Sequence, residues 1–191
     1  MKNLWLGCAL FLLLLTACQP YEFKGTAYPE GVEAEDFTLT TTDERPFRLS
    51  EQRGQVVLMF FGFTSCPDVC PATLAEAKRI LEGLGEDAQN VRFVFITVDP
   101  ERDTPDQLGK YVSNFHPEIV GLTGSPEELQ TMFDAYGIYA AKVPLEDSAA
   151  EYTMEHTARV FLVDQDGLLR LSYAFGTPDD DILQDVQYLL K

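Results

Sequence analysis

Two almost continuous apolar runs constrain the fold of this chain more than any other feature. The first, VVLMFFGF, covers residues 56–63, and the second, VRFVFITV, covers residues 91–98. Runs of this kind are typical of strands that helices cover on both faces. Between them, Leu74, Ala77, Leu81 and Leu84 recur at helical spacing. We therefore predict a strand–helix–strand unit, in which a right-handed crossover joins two parallel strands.

Capping signals predict three further helices towards the C-terminus. Thr104 precedes Pro105, and this pair is typical of an N-cap followed by the first residue of a helix. Ser125 and Glu128 form a capping box, which predicts a helix that begins at residue 126. Thr177 before Pro178 predicts the start of the last helix.

Shorter alternating segments predict the remaining strands. Residues 119–122 form one short candidate, and residues 158–163 and 168–175 flank a turn as an antiparallel hairpin. A second, peripheral hairpin is predicted near the N-terminus, over residues 37–40 and 46–49. This order of elements indicates an α/β protein with a thioredoxin-like fold: a central mixed sheet flanked by helices, with an inserted helix and an N-terminal hairpin.

The N-terminus has the pattern of an export signal. Lys2 precedes an apolar run over residues 4–15 that is shorter than the roughly 18 residues of a membrane span. The sequence Leu15-Thr16-Ala17-Cys18 resembles a bacterial lipobox, in which the cysteine is lipidated. We therefore expect a lipoprotein signal peptide over residues 1–17, which includes Cys8, a lipidated tether over residues 18–34 and a folded domain over residues 35–191. Ordinary cleavage after Ala17, with a free Cys18, is the alternative.

We expect the domain to lie outside the cytoplasm and, with Cys18 lipidated, to be anchored to the cell membrane through this residue. The formal net charge is −17, which repels nucleic acid and argues against a basic patch for anionic lipid. We therefore exclude DNA and RNA as partners.

Cys66 and Cys70 would be the only thiols of the folded part, in the segment FTSCPDVCPATL. A disulfide between them would close a very short loop and add little stability, so a functional role explains the pair better. The pair follows the first central strand and precedes its helix, with Pro71 expected at the first helical position. Ligands bind at strand ends of this kind, and a helix N-terminus favours the thiolate.

The spacing of the two cysteines favours metal binding without excluding thiol redox chemistry. In a regular helix their Cβ atoms would lie about 5–6 Å apart, beyond the roughly 3.5–4.5 Å that a relaxed disulfide prefers. Two thiolates suit Cu(I), and an added imidazole would also allow Cu(II). His156 precedes the late hairpin, in a loop that this fold would bring beside the cysteines, so we expect it to be the third ligand. The other histidine, His116, suits a helix C-terminus instead.

The segments FFGFTSCPDVCPATL, TVDPERDTP, FHPEIVGLTG and EHTARVFLVDQDG together resemble the Sco/SenC family of copper chaperones. The resemblance implies that Cys66, Cys70 and His156 bind copper, and that the two cysteines form a disulfide when oxidised. It implies delivery of copper to the binuclear copper (CuA) site of cytochrome c oxidase, or to another cuproprotein. Asp99 matches a family segment near the site, where it would orient a ligand or cap the loop. Ser65 departs from the family, in which many members have histidine before the first cysteine.

Two other functions use the same cysteines. In a thiol:disulfide oxidoreductase, Cys66 would attack and Cys70 would resolve, either to reduce the cysteines of the copper acceptor or in redox homeostasis. The loop over residues 155–157 lacks the proline that redox enzymes of this fold commonly carry there, and it offers a metal ligand instead. A thiol peroxidase ranks third, because Met59 and Phe63 replace the proline and threonine of that family's pattern. We therefore favour a metallochaperone, which is not an enzyme.

Overall fold

In the computed structural model, which describes residues 20–146, 148 and 150–191, eight strands form one sheet and two more form a separate hairpin. The strands are, in chain order, β1 (Thr26–Ala27), β2 (Thr38–Thr41), β3 (Pro46–Arg48), β4 (Val56–Gly62), β5 (Val91–Thr97), β6 (Ile119–Thr123), β7 (Ala140–Pro144), β8 (Tyr152–His156), β9 (Arg159–Val163) and β10 (Leu169–Ala174). The helices are α1 (Val69–Leu84), α2 (Pro105–Ser113), α3 (Pro126–Tyr136) and α4 (Asp179–Leu189), with 3₁₀ turns at Leu49–Gln52 and Gly85–Asn90.

The two apolar runs form the centre of the main sheet, as predicted. Its order is β1-β10-β9-β4-β5-β6-β2-β3, in which β4, β5 and β6 are parallel and β9 runs antiparallel to β4. Every residue of β4 is buried, as expected for a strand covered on both faces. This mixed sheet with its flanking helices confirms the predicted α/β, thioredoxin-like fold class, including the N-terminal β2–β3 hairpin and the inserted α3.

Two of the predicted helix starts are confirmed and two are shifted. Thr104 and Ser125 both form complete capping boxes, with Pro105 and Pro126 at the first helical positions. Thr177 does not cap α4, because its hydroxyl donates to the carbonyl of Ala174 and Pro178 takes the N-cap position.

The start of α1 also differs from the prediction. This helix begins at Val69, so Pro71 is its third residue rather than its first. A proline is tolerated there, because the first four N–H groups of a helix have no partner within it.

The segment before His156 is not the loop that the sequence predicts. Residues 140–144 and 152–156 pair as the antiparallel β7–β8 hairpin, in which Ala140 lies opposite His156. β7 (AAKVP) lacks the apolar–polar alternation of a strand, and the two strands pair with each other rather than with the main sheet.

The stretch expected as a tether differs as well, in the part that the structure describes. β1 pairs with β10, and the Tyr21 hydroxyl donates to Asp185 of α4 at 2.8 Å. Residues from Tyr21 onwards are therefore packed against the domain. The expected signal peptide and Cys18 lie outside the described residues. Within the described ranges, no helix has both the length and the apolar character of a membrane span.

Candidate metal centre

Cys66 and Cys70 lie on either side of the start of α1, at the end of β4. Cys66 belongs to a turn in which its N–H donates to the carbonyl of Phe63 at 3.2 Å, and its side chain is half-buried. Cys70 is the second residue of α1 and is fully buried. Its backbone N–H donates to the sulfur of Cys66, with 3.4 Å between N and Sγ. Because Cys66 precedes the helix, the argument from regular helical spacing against a disulfide does not apply.

The two sulfurs have opposite protonation preferences. Hydrogen bonds from the Cys70 thiol, from His156 and from backbone N–H groups outweigh burial and lower the pKa of Cys66 to about 3. The same thiol–thiolate hydrogen bond, together with burial, raises the pKa of Cys70. The reduced pair therefore consists of a Cys66 thiolate that accepts a hydrogen bond from the Cys70 thiol.

His156 is the last residue of β8, and its side chain lies beside the cysteines. Its Nε2 lies 3.9 Å from the Sγ of Cys70. Its Nδ1 lies 3.2 Å from the carbonyl oxygen of Thr157, which can only accept a hydrogen bond. Nδ1 must therefore carry the proton of this bond, and Nε2 is the nitrogen that faces the cysteines. With a proton Nε2 donates to the Cys66 thiolate, and without one its lone pair can bind a metal. The rings of Phe60 and Phe63 pack against the His156 ring in T-shaped contacts, with ring centres 6.3 Å and 5.7 Å away.

The spacing of these donors suits an ion between them. Bonds of about 2.3 Å to sulfur and about 2.0 Å to nitrogen, as in zinc sites, allow sulfur and nitrogen atoms up to about 4.3 Å apart to share one ion. The 3.9 Å between Cys70 and His156 is within that limit. Among the described residues, however, no three His, Cys, Asp or Glu side chains form a finished metal-binding cluster. Side-chain rotations would therefore still be needed to bring all three donors onto an ion.

The surroundings of the three residues are open on one side. Cys66 and His156 line a surface pocket of about 500 Å³, together with Met154 and Phe63.

His116 lies elsewhere, just after α2, where its Nδ1 accepts from the backbone N–H of Glu118. The structure therefore brings Cys66, Cys70 and His156 together and leaves His116 apart, as the sequence predicts.

Several polar residues near the site contact the segments that carry the candidate ligands. Asp99 does not contact the three candidate ligands; its carboxylate bonds to Arg102 and to the hydroxyl of Tyr152. Asp103 accepts hydrogen bonds from Thr64, two residues before Cys66. Arg102, Asp103 and Tyr152 were not predicted from the sequence. The TVDPERDTP segment contains Arg102 and Asp103 and could have pointed to these two.

Comparison with known proteins gives a consistent family assignment. A family model described as SCO1/SenC matches residues 26–191. An SCO2-like protein from Rickettsia felis is 36% identical over 176 residues, which cover 90% of this chain and 86% of the relative.

Solved structures of the same family share the fold. Copper-bound ScoI from Bradyrhizobium japonicum is 38% identical with a TM-score of 0.76, over 84% of this chain and 100% of that one. A SCO1/SenC family lipoprotein from Bacillus anthracis is 26% identical with a TM-score of 0.72, over 89% and 100%. BsSco, a member of the Sco family of cytochrome c oxidase assembly proteins in which a disulfide switch was identified, is 30% identical with a TM-score of 0.67, over 86% and 97%. On the strength of the family model and of these relatives, the chain belongs to the SCO1/SenC family.

Proposed function

We propose that this chain is a copper chaperone in which Cys66, Cys70 and His156 hold copper for transfer to another protein. The observation that carries the proposal is the placement of the imidazole Nε2 of His156 at 3.9 Å from Cys70, beside a Cys66 thiolate. The copper-bound structure of a 38% identical relative supports copper as the metal. Two thiolates suit Cu(I), and the imidazole extends the donor set to one that also suits Cu(II).

Copper is the cargo of this site, and the protonation states of the two cysteines determine which sulfur can bind it first. The Cys66 thiolate is ready to bind, whereas Cys70 must first lose its proton. Loading Cu(I) onto both sulfurs therefore releases the one proton that Cys70 carries. Because Cys66 and His156 line the open pocket, an acceptor's ligands can reach the ion there and replace these two donors in turn.

The proposed acceptor is the CuA site of cytochrome c oxidase, or another cuproprotein. This proposal rests on family membership and on BsSco, a member of a family of cytochrome c oxidase assembly proteins. We also propose that a lipid on Cys18 holds the domain on the extracytoplasmic side of the membrane. The lipobox-like sequence and the lipoprotein relative from Bacillus anthracis support the anchor.

Copper titration of the reduced protein tests the three ligands. We expect Cys66→Ala, Cys70→Ala and His156→Ala each to weaken Cu(I) binding by at least tenfold, because each removes one bond to the ion, while circular dichroism shows an intact fold. His116→Ala is the matched control and should bind as the wild type does. If the His156→Ala variant kept the wild-type Cu(II) spectrum, the imidazole would be excluded as a copper ligand.

A second function, thiol:disulfide exchange, is favoured by the half-exposed Cys66 thiolate and by the disulfide switch of BsSco. Cys66 would attack a disulfide of the acceptor, and Cys70 would then attack Cys66. As a Cys66–Cys70 disulfide forms, the acceptor disulfide would gain two electrons, one proton from Cys70 and one proton from the solvent. A Cys70→Ala variant should then trap the mixed disulfide with a CuA-domain acceptor, and failure to trap it would argue against this function.

A further inference from the structure

The turn between β5 and α2, residues 99–103, contacts both segments that carry the candidate ligands. We infer that Asp99 and Arg102, acting through Tyr152, are positioning residues that hold His156 within reach of Cys66 and Cys70. This inference rests on the proposed copper-binding function. It assigns a role to polar residues that do not themselves touch the metal site.

The hairpin that carries His156 needs such an attachment. β7 and β8 pair only with each other in the described part of the chain, outside the main sheet. An isolated two-stranded hairpin is marginally stable in water, so side-chain contacts must fix its position. The distance between His156 and the cysteines therefore depends on how firmly the hairpin is docked.

Arg102 and Asp99 provide the docking contacts at the start of β8. The hydroxyl of Tyr152 donates to Oδ1 of Asp99 at 2.8 Å, and Arg102 bonds to the other carboxylate oxygen. Nη1 of Arg102 also donates to the carbonyl of Tyr152 at 2.9 Å. The guanidinium lies 3.7 Å from the centre of the Tyr152 ring, close enough for a cation–π contact. Tyr152 is thus held by its hydroxyl, its ring and its backbone.

These contacts are largely shielded from water. Asp99 is 1% exposed, and the side chain of Arg102 is 25% exposed. An ion pair that is shielded from water and also binds a third group stabilises the structure more than an exposed surface pair does. A surface ion pair between Lys142 of β7 and Glu101 adds a weaker contact from the same turn.

Tyr152 and His156 lie at the two ends of β8, so fixing Tyr152 also fixes the position of His156. Side chains at alternate positions of a strand point to the same side, so Tyr152, Met154 and His156 share a face. Phe63 provides a second connection, since its ring lies 6.0 Å from the Arg102 guanidinium carbon and 5.7 Å from the His156 ring.

The same turn also holds the cysteine side of the site. The buried carboxylate of Asp103 accepts hydrogen bonds from the backbone N–H and the hydroxyl of Thr64, and from the hydroxyl of Thr97 at 2.7 Å. The hydroxyl of Thr97 in turn accepts from the backbone N–H of Asp99 at 2.9 Å. One short, buried network therefore sets the loop before Cys66 and the hairpin before His156 relative to each other.

The test removes the docking contacts without touching the ligands. In the full chain in detergent, reduced and metal-free, we compare Tyr152→Phe and the double variant Tyr152→Phe/Arg102→Gln with the wild type. Competition with a chromophoric Cu(I) chelator gives the affinity. We expect the double variant to bind about tenfold more weakly, since loss of a hydrogen bond to a charged group lowers the docked fraction and the apparent affinity falls with it. Tyr188→Phe, which removes a hydroxyl far from the site, should bind as the wild type does.

A double-mutant cycle separates positioning from general damage. In a His156→Ala background, the Tyr152→Phe/Arg102→Gln change should cause no further loss, because no imidazole is left to position. An equal loss in that background would overturn the inference, and so would wild-type affinity in the double variant.

Hydrogen exchange tests the same inference without copper. Amides of β7 and β8 should exchange faster in the metal-free double variant than in the wild type or in Tyr188→Phe. If wild type and His156→Ala bound copper equally, the proposed function would fail, and unchanged exchange in the hairpin would then overturn the positioning role separately.

Discussion

Cys66 and Cys70 belong to one short motif but have opposite environments. Cys66 is half-exposed at the start of α1, where it accepts hydrogen bonds from the Cys70 thiol, from His156 and from backbone N–H groups. Cys70 is fully buried beneath it. The sequence places both near a helix start, but the order in which they ionise depends on which sulfur is buried. That depends on the turn over residues 63–66 and not on the spacing of the motif.

This asymmetry predicts how the two thiols react with iodoacetamide. An ordinary thiol with a pKa of about 8.5 loses about a factor of ten in thiolate for each pH unit below that value. Because the pKa of Cys66 is lowered to about 3, its thiolate should persist at pH 5.5 and its alkylation rate should stay nearly constant between pH 5.5 and 8. Mass spectrometry of the reduced, metal-free protein should show modification at Cys66 and protection of Cys70.

The unfolded protein is the control for this measurement. In urea both cysteines should react at equal rates that fall steeply below pH 8. His156→Ala removes one of the hydrogen bonds that lower the pKa, so its alkylation rate should begin to fall at a higher pH than in the wild type. A native profile identical to the unfolded one would show that Cys66 is not activated.

At the level of elements, close contact between β4 and α1 explains why β4 ends in glycine. A Cβ atom at Gly62 would lie 2.8 Å from the sulfur of Cys70 and 2.8 Å from the ring of Phe95. Contacts below 3.0 Å force something to move, and neither neighbour is a flexible surface group. The absence of a side chain at Gly62 therefore allows the second cysteine to sit directly above the sheet.

We therefore expect Gly62→Ala to disturb copper binding as well as stability. Overpacking of this kind should lower the free energy of unfolding by about 1–3 kcal/mol, measured by urea denaturation, and displace Cys70 from His156. Gly121→Ala is a matched control in β6, where a Cβ would lie 2.8 Å from Thr42 and 2.9 Å from Leu108, far from the cysteines. Similar stability losses with weakened Cu(I) affinity only in Gly62→Ala would confirm the role. Equal affinities in the two variants would contradict it.

Elements differ in how much of them is readable from sequence. The starts of α2 and α3 are predicted correctly because their signals are local: Pro105 directly follows Thr104, and Glu128 lies three residues after Ser125. The β7–β8 hairpin is missed because its docking depends on Asp99 and Arg102, about 50 positions before Tyr152. His156 could be chosen as a candidate ligand from its type and place, and Asp99 from the family segment that contains it. The contact of Asp99 and Arg102 with Tyr152 could not be predicted.

At the scale of the whole molecule, the N-terminal segment also makes long-range contacts that could not be predicted from the sequence. Its composition predicts a tether, but its described residues are bound to α4 and β10. The carboxylate of Asp185, which is fully buried, accepts from the Tyr21 hydroxyl and from the backbone N–H groups of Lys24 and Gly25. It also accepts from Tyr173 of β10 at 3.1 Å. A partner more than 150 positions away leaves no local signal.

This attachment has a consequence for the proposed lipid anchor. Only Gln19 and Pro20 separate Cys18 from Tyr21. A chain of three residue steps spans at most about 10 Å. With Cys18 lipidated as proposed, the face formed by Tyr21 and α4 would stay close to the membrane, and the domain could not swing out on a tether of 17 residues.

We expect Asp185→Asn to release the N-terminal segment from the rest of the molecule. The amide group is almost the same size as the carboxylate, but its NH₂ cannot accept from the donors that converge on Asp185, so the free energy of unfolding should fall by about 2 kcal/mol. Limited trypsin digestion should then cleave after Lys24 at least tenfold faster than in the wild type, and mass spectrometry would identify the product that begins at Gly25. Asp180→Asn, an exposed acid in the first turn of the same helix, should leave cleavage at the wild-type rate. Because a flexible tether would be cut rapidly in every variant, fast cleavage of the wild type after Lys24 would show that residues 21–25 are not docked in solution.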